Sequence, residues 1–188
     1  MRRRSSVSGP TYRVPFRRRH ERKTNYRKRL KLLLSRKPRV VIRMSNKYIR
    51  MQLVSSDMSS DITSVDVISS ELKRYGYEGG KSNIPAAYLT GLMFGKKAKE
   101  AGFDAGVLDI GLRTPVRGSR VYAALKGVID SGLVIPHESI VFPPEVRIRG
   151  EHIASVKNAD TILDTFDIVK GNILKDKVVE EKEVTALT

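Results

Sequence analysis

Gly79-Gly80-Lys81-Ser82 is the tetrad in this 188-residue chain closest to a nucleotide-handling motif. A phosphate-binding loop reads G-x-x-x-x-G-K-[ST], with backbone amides cradling the phosphates and the lysine reaching the terminal ones. That spacing requires a glycine at position 75, which is Tyr75; Gly76 comes one residue late. Such a loop also leaves a buried strand directly, whereas Glu71 to Tyr75 is polar. The tetrad reads as a glycine-rich surface loop, with Lys81 kept as a candidate phosphate ligand.

Metal-dependent nuclease chemistry would need several carboxylates converging on two metal ions. Among the runs that look like buried strands, only Gly106 to Leu112 supplies an acid, Asp109. One carboxylate is not a two-metal site; it suits satisfying backbone donors or pairing with a loop arginine. His20, His137 and His152 lie in unrelated contexts, and there is no cysteine, no H-x-x-x-H and no G-x-S-x-G. No enzyme, metal site or cofactor is expected.

What remains is charge. The net charge is +16, and it is unevenly placed. Residues 1–50 hold 19 Lys+Arg against one acid, Glu21, while residues 51–188 hold 17 Lys+Arg against 19 acids. A block of like charge repels itself and reads as an arm for a polyanion. Nucleic acid fits better than an anionic membrane, because membrane-surface segments pair lysines with bulky apolar residues. Here arginine is common, and its fork matches phosphate oxygens and stacks on bases. Double-stranded DNA is the lesser choice, since no helix-turn-helix or zinc module is visible. The start, MRRRSSVSGP, is not a secretory signal, and no apolar run is long enough to span a bilayer. The lack of cysteine fits a reducing compartment.

Several elements must position these cations. Residues 1–20, with Gly9, Pro10 and Pro15, read as an extended arm carrying Arg2, Arg3, Arg4, Arg13, Arg17, Arg18 and Arg19. Tyr12 and Phe16 lie among these arginines, placed either to stack on exposed bases or to pin the arm to the domain. From Glu21 to Arg36 a helix is expected, with Tyr26, Leu30, Leu33 and Leu34 as a core-facing stripe. Arg22, Lys23, Arg27, Lys28, Arg29 and Lys31 cover its cationic side.

Pro38 to Val54 then alternates as a hairpin around Ser45-Asn46-Lys47. One face collects Val40, Ile42, Met44, Ile49, Met51 and Leu53 for the core. The other collects Arg39, Arg43, Tyr48, Arg50 and Gln52, with Val41 the apolar intruder. Asn46, Lys47 and Tyr48 form the tip and its exit.

A third strand is expected over Asp61 to Ile68, and a helical turn or two over Glu71 to Tyr75. Asn83 should cap a helix ending near Ala101, with Gly91 and Gly95 allowing close packing on the sheet. A short buried strand over Gly106 to Leu112 leads into a second basic loop, Arg113 to Arg120, with Arg117 between. A helix from about Ser119 to Ser131 follows. Strand, helix, strand, loop, helix is α/β order and implies a parallel strand pair. A short strand near Val146 to Ile148, weak helical patterns beyond 151 and an acidic tail complete the chain. This divides it into a basic arm and helix (1–36), an α/β RNA-binding body (37–150) and a C-terminal extension (151–188).

The runs GPTYRVPFRRRHERKTNYRKRLKLLLSRKPRVVIRMSNKYIRMQLV, NIPAAYLTGLMFGKKA, LDIGLRTPVRGSRVYAALKGVIDSGL and RIRGEHIA resemble the universal L-eighteen family of large-subunit ribosomal proteins. The likeness is to its archaeal form, related to eukaryotic L-five, and covers roughly residues 9–154. It implies a three-layer α/β domain with a mixed sheet of the ribonuclease-H-like type, without nuclease activity. It also implies a cytoplasmic ribosomal protein that binds 5S rRNA. That protein helps attach the RNA to large-subunit rRNA in the central protuberance, beside neighbouring ribosomal proteins. The family's RNA-facing parts fall on Tyr12 to Lys31, on the tip Ser45 to Tyr48 and on Arg113 to Arg120. MRRRSSVS fits no pattern of that family.

Overall fold

The computed structural model describes residues 12–57, 60–157 and 161–175. The alternating hairpin forms as β1 (Arg39–Met44) and β2 (Ile49–Ser56), antiparallel from Arg39↔Val54 to Met44↔Ile49. Its turn closes on itself. The Ser45 N–H donates to the Tyr48 carbonyl at 2.9 Å, and the Tyr48 N–H donates to Ser45 Oγ at 2.9 Å. β3 (Asp61–Ile68) adds antiparallel to β2, with a bulge at Leu53/Val54. β4 (Val107–Asp109) runs parallel to β1. The strand order is β3-β2-β1-β4, so the sheet is mixed, as the α/β order implied. The expected buried strand over Gly106 to Leu112 shrinks to three residues, of which only Asp109 is buried, because β4 lies at the sheet edge.

The six apolar hairpin residues assigned to the core are all buried. They face α3 (Ile84–Glu100), which starts where Asn83 Oδ1 accepts the Ala86 N–H at 2.8 Å. Beyond its last turn, Gly102 adopts φ +81°. Gly91 and Gly95 face not the sheet but α4 (Arg120–Asp130). A Cβ on Gly91 would sit 2.0 Å from the Ala124 carbonyl oxygen, and one on Gly127 of α4 2.1 Å from that of Tyr88. The two helices touch backbone to backbone, which only glycine at the crossing allows.

Beyond Pro144 the described residues are mainly helical. The short strand expected near Val146 to Ile148 is instead α5 (Glu145–Arg149). Pro144 precedes it and Gly150, at φ +94°, ends it, and these are helix signals that outweigh a two-residue alternation. α6 (Glu151–Lys157) and α7 (Thr161–Lys175) follow. Phe166, Val169 and Ile173 of α7 are buried, and the Phe166 ring lies 5.7 Å from that of Tyr88. Burial pushes the Tyr88 phenol well up, reinforced by its hydrogen bond to Asp130. The acidic tail lies outside the described residues.

The N-terminal region differs most from expectation. Within the supposed extended arm, α1 (Arg17–His20) makes a single helical turn. The next helix, α2, spans Tyr26–Leu33 rather than starting at Glu21, because Asn25 caps it by accepting the Arg27 and Lys28 N–H groups. Arg22 and Arg36, at φ +55° and +53°, turn the chain on either side of α2. The stripe assigned to the core is not buried: Leu30 is 59% and Leu34 73% exposed. The half-buried side of α2 carries Tyr26, Arg29, Leu32 and Leu33 instead. The surface it faces mixes charged residues (Arg39, Arg43, Asp61, Asp109) with Val41 and Val54, so an apolar stripe alone was the wrong marker for it.

Candidate nucleic-acid interface

The outward face of the hairpin carries the arginines that alternation places there, but acids meet them. Arg39 is only 6% exposed, which corrects the expectation of an open cationic face at this position. Its guanidinium donates to Asp61 Oδ2 at 2.7 Å and to Asp109 Oδ2 at 3.3 Å. Arg43 donates to the Asp109 carbonyl at 2.9 Å, and Asp109 Oδ1 accepts the Gly111 N–H at 2.8 Å. Asp109 therefore satisfies a backbone donor, as expected, but its arginine partners come from β1 rather than from a loop. Arg50 forms a two-pronged pair with Asp66 of β3. That hydrogen bond, with the charge behind it, raises the Arg50 pKa.

Asp61 is the hub. Its Oδ2 also accepts from Arg29 of α2 at 2.8 Å, and its Oδ1 accepts from Ser56 at 3.0 Å. One carboxylate thus ties the basic helix to the sheet. Partial burial pushes the Asp61 pKa up, but hydrogen bonds from Arg39 and Ser56 and the charges of Arg39 and Arg29 outweigh it. The pKa lies below the ordinary value. A depressed carboxylate stabilises above its unfolded pKa, and that contribution disappears as pH falls through the folded one. Acidification below the carboxylate reference, about 3.9 for Asp, should therefore free α2 while α3 stays packed. Amide resonances followed through the titration would show it, and Asp61→Asn should free α2 already at pH 7. Simultaneous loss of α2 and α3, with no effect of the substitution, would contradict the tie.

α2 and the sheet enclose an open cleft of about 560 Å³. Arg18, Lys23, Lys28 and Lys31 line it and are exposed, as are Tyr12, Arg13, Phe16, Arg17, Arg19, Arg22 and Arg27 elsewhere on α2 and the segment before it. The Phe16 ring packs on Tyr26 with centroids 5.3 Å apart. This contact pins the arm to α2 while leaving Phe16 72% exposed. Glu21 is the acid within reach of this group, 2.9 Å from Lys23 and 3.8 Å from Arg17. Arg2, Arg3 and Arg4 lie outside the described residues.

A second cationic platform forms at the hairpin tip. The Ser82 hydroxyl donates to the Ser45 carbonyl at 2.9 Å, and Arg120 donates to the Ser82 carbonyl and hydroxyl at 2.7 Å each. Arg113 donates to the Met44 carbonyl. Lys81 Nζ stands 5.8 Å from the centre of the Tyr48 ring, which is 42% exposed. Asn46 and Lys47 are exposed at the tip, and Arg117 on the adjoining loop. The structure thus joins three stretches far apart in sequence, with Arg120 belonging to the first turn of α4 rather than to the loop.

Gly79 has a packing reason: a Cβ there would lie 2.7 Å from the Tyr77 ring. That ring is buried, and its hydroxyl donates to the capping Asn83 Oδ1 at 3.1 Å. Burial raises the Tyr77 pKa.

Sequence patterning does not mark the tie between two interface residues: Arg29 reads as one cation among six, and Asp61 merely as a strand end. The Arg29/Leu32 spacing (i, i+3) was the signal available for the first. Asn25 ahead of a helical run was the signal for the true helix start. Among the described residues no group of three or more His, Cys, Asp or Glu could hold a metal ion, and no helix is long and apolar enough to cross a membrane.

The family model for ribosomal large subunit proteins 60S L5, and 50S L18 matches residues 10–105 and 99–138. Three similar proteins bear the name large ribosomal subunit protein uL18. That of Methanococcoides burtonii is 53% identical over 170 residues, 90% of this chain and 98% of the relative. That of Methanothrix thermoacetophila is 52% identical over 168 residues, covering 89% and 99%. The protein of Methanoregula boonei is 48% identical over 173 residues, covering 92% and 99%.

Proposed function

Because the chain belongs to the family of ribosomal large subunit proteins 60S L5 and 50S L18, a structural rather than enzymatic family, we propose that within the large subunit it binds 5S rRNA. It helps attach that RNA to large-subunit rRNA in the central protuberance, beside neighbouring ribosomal proteins. The observation that carries this reading is the 19 Lys+Arg against one acid in residues 1–50. Those from Arg13 to Lys31, except the half-buried Arg29, form an exposed cationic surface. Arginine and lysine there neutralise phosphates, which fixes position, while Tyr12, Phe16, Asn46 and Tyr48 supply stacking and base-edge contacts. Lys47, Lys81, Arg113, Arg117 and Arg120 at the tip platform take a second RNA segment. Arg43 and Arg50, each held by an acid on the sheet, present a fixed edge between the two.

The mixed sheet, with α3 and α4 on one face and α2 on the other, supports a three-layer domain of the ribonuclease-H-like type. Nuclease action is not supported, because the one acid that a buried-strand reading offered, Asp109, is engaged by Arg39, Arg43 and the Gly111 amide. The division into basic arm with helix, α/β body and C-terminal extension is our reading of the same layout.

Sequencing the nucleic acid that co-purifies with the full chain tests the proposal. Enrichment of 5S rRNA over the other RNAs present is expected. Recovery of a random sample of RNA or of DNA would sink it.

A further inference from the structure

The cleft between α2 and the sheet has a composition that phosphate binding alone does not account for. Its lining holds seven Lys and Arg against two Asp, so it favours an anion. Yet both carboxylates are already engaged, by Arg29, Arg39 and Ser56 on Asp61 and by Arg39, Arg43 and the Gly111 amide on Asp109. Beyond Arg39, which bridges the two, the floor carries neutral side chains. Val41 and Gln52 lie directly opposite each other on β1 and β2, and Val54 follows on the same side. Val41 and Val54 make an apolar shelf. Gln52 is half-buried, and among the described residues its side-chain amide has no hydrogen-bond partner. A side-chain amide offers one donor and one acceptor next to each other, the pairing that reads the edge of a base. The Arg39 Nε–H, also on this floor, is buried without a partner among the described residues. A volume of about 560 Å³ lies within the range of small-molecule sites.

Resting on the RNA-binding reading above, we propose that this cleft seats one unstacked nucleotide of the bound RNA. The base lies on the Val41/Val54 shelf with its edge hydrogen-bonded to Gln52. The flanking phosphates sit on Lys28, Lys31 and Arg43 at the rim. Gln52 is then a specificity residue, distinct from the cations around it: it separates RNA with an unpaired base from fully paired RNA.

The experiment compares the full wild-type chain with Gln52→Leu, which keeps the bulk and removes the amide. Affinity is measured for 5S rRNA and for a fully paired RNA duplex, together with the melting temperature. Affinity for 5S rRNA should fall about tenfold, as for a lost base-edge pair, with duplex affinity and melting temperature unchanged. No loss, or an equal loss for both RNAs, would overturn the proposal. If the substitution lowers the melting temperature, the wild-type chain decides. AMP at millimolar concentration should shift the Gln52 side-chain amide resonances, whereas ribose 5-phosphate, which lacks the base, should not. Equal shifts, meaning a phosphate site only, or none, would overturn it. A wild-type chain with no preference for 5S rRNA would instead count against the RNA assignment, and the AMP arm would still decide the cleft.

Discussion

Raising salt from 50 to 200 mM should weaken binding of 5S rRNA by about 10³–10⁵-fold, if roughly 6–10 phosphates are neutralised as in comparable duplex-DNA complexes. The cause is counterion release: each phosphate met by a lysine or arginine frees a condensed cation, and that gain shrinks as salt rises. The effect should be steep here because the described cations of the arm and α2, Arg29 excepted, are exposed and have little acid near them. Glu21 is the one acid in residues 1–50. The sheet arginines behave differently, since Arg39 and Arg50 already have carboxylate partners and release fewer ions. Lys28→Ala should therefore lower the salt slope by about one, and Arg39→Ala should leave it unchanged. A nearly flat response of the wild-type chain would remove the arm and α2 as the main contact.

Arg39→Ala should instead cost stability, about 3 kcal/mol, as expected when one partner of a buried charge network is removed. For a domain of this size that corresponds to a fall in melting temperature of roughly 6–12 °C. Arg39 bridges Asp61 and Asp109, on the two outer strands of the sheet, from a position almost closed to water. Its loss leaves both carboxylates with fewer donors in a partly dry site. The cost stays at the low end of its range because Asp61 keeps Arg29 and Ser56, and Asp109 keeps Arg43 and the Gly111 amide. Thermal unfolding checks the size of the drop. An unchanged melting temperature with lost RNA affinity would mean that Arg39 faces RNA after all.

The contrast between these two arginine populations shows where sequence reading stops. Alternation along the hairpin identified the six apolar residues on the α3-facing side of β1 and β2, and Asp61–Ile68 was read to the residue, because a buried face imposes a period of two; Val41 and Val54, buried on the opposite face, escaped it. Asn83 and Gly102 marked α3 for equally local reasons. Burial of Arg39 was not legible, because it depends on acids 22 and 70 residues away meeting one side chain. Nor was the glycine contact of α3 with α4, since Gly91 and Gly127 are 36 positions apart and a helical pattern does not say which layer a face meets. α2 misled for a third reason. Its leucines suggested a core, yet Leu32 and Leu33 are only half-buried, and the ion pair that ties it to the sheet among the described residues is Arg29 to Asp61. The cationic tip platform was legible residue by residue, but not as one surface.

The central claim is recognition of 5S rRNA by this surface, and a competition at 150 mM salt tests it most directly. The full chain, bound to labelled 5S rRNA, is challenged with unlabelled 5S rRNA and, separately, with an unrelated structured RNA of the same length. The account predicts displacement by 5S rRNA at concentrations at least about a hundredfold lower, well short of the specificity ratios of about 10³–10⁷ known for protein–DNA pairs. Equal displacement by both RNAs would contradict it, leaving a polycation with no preferred partner.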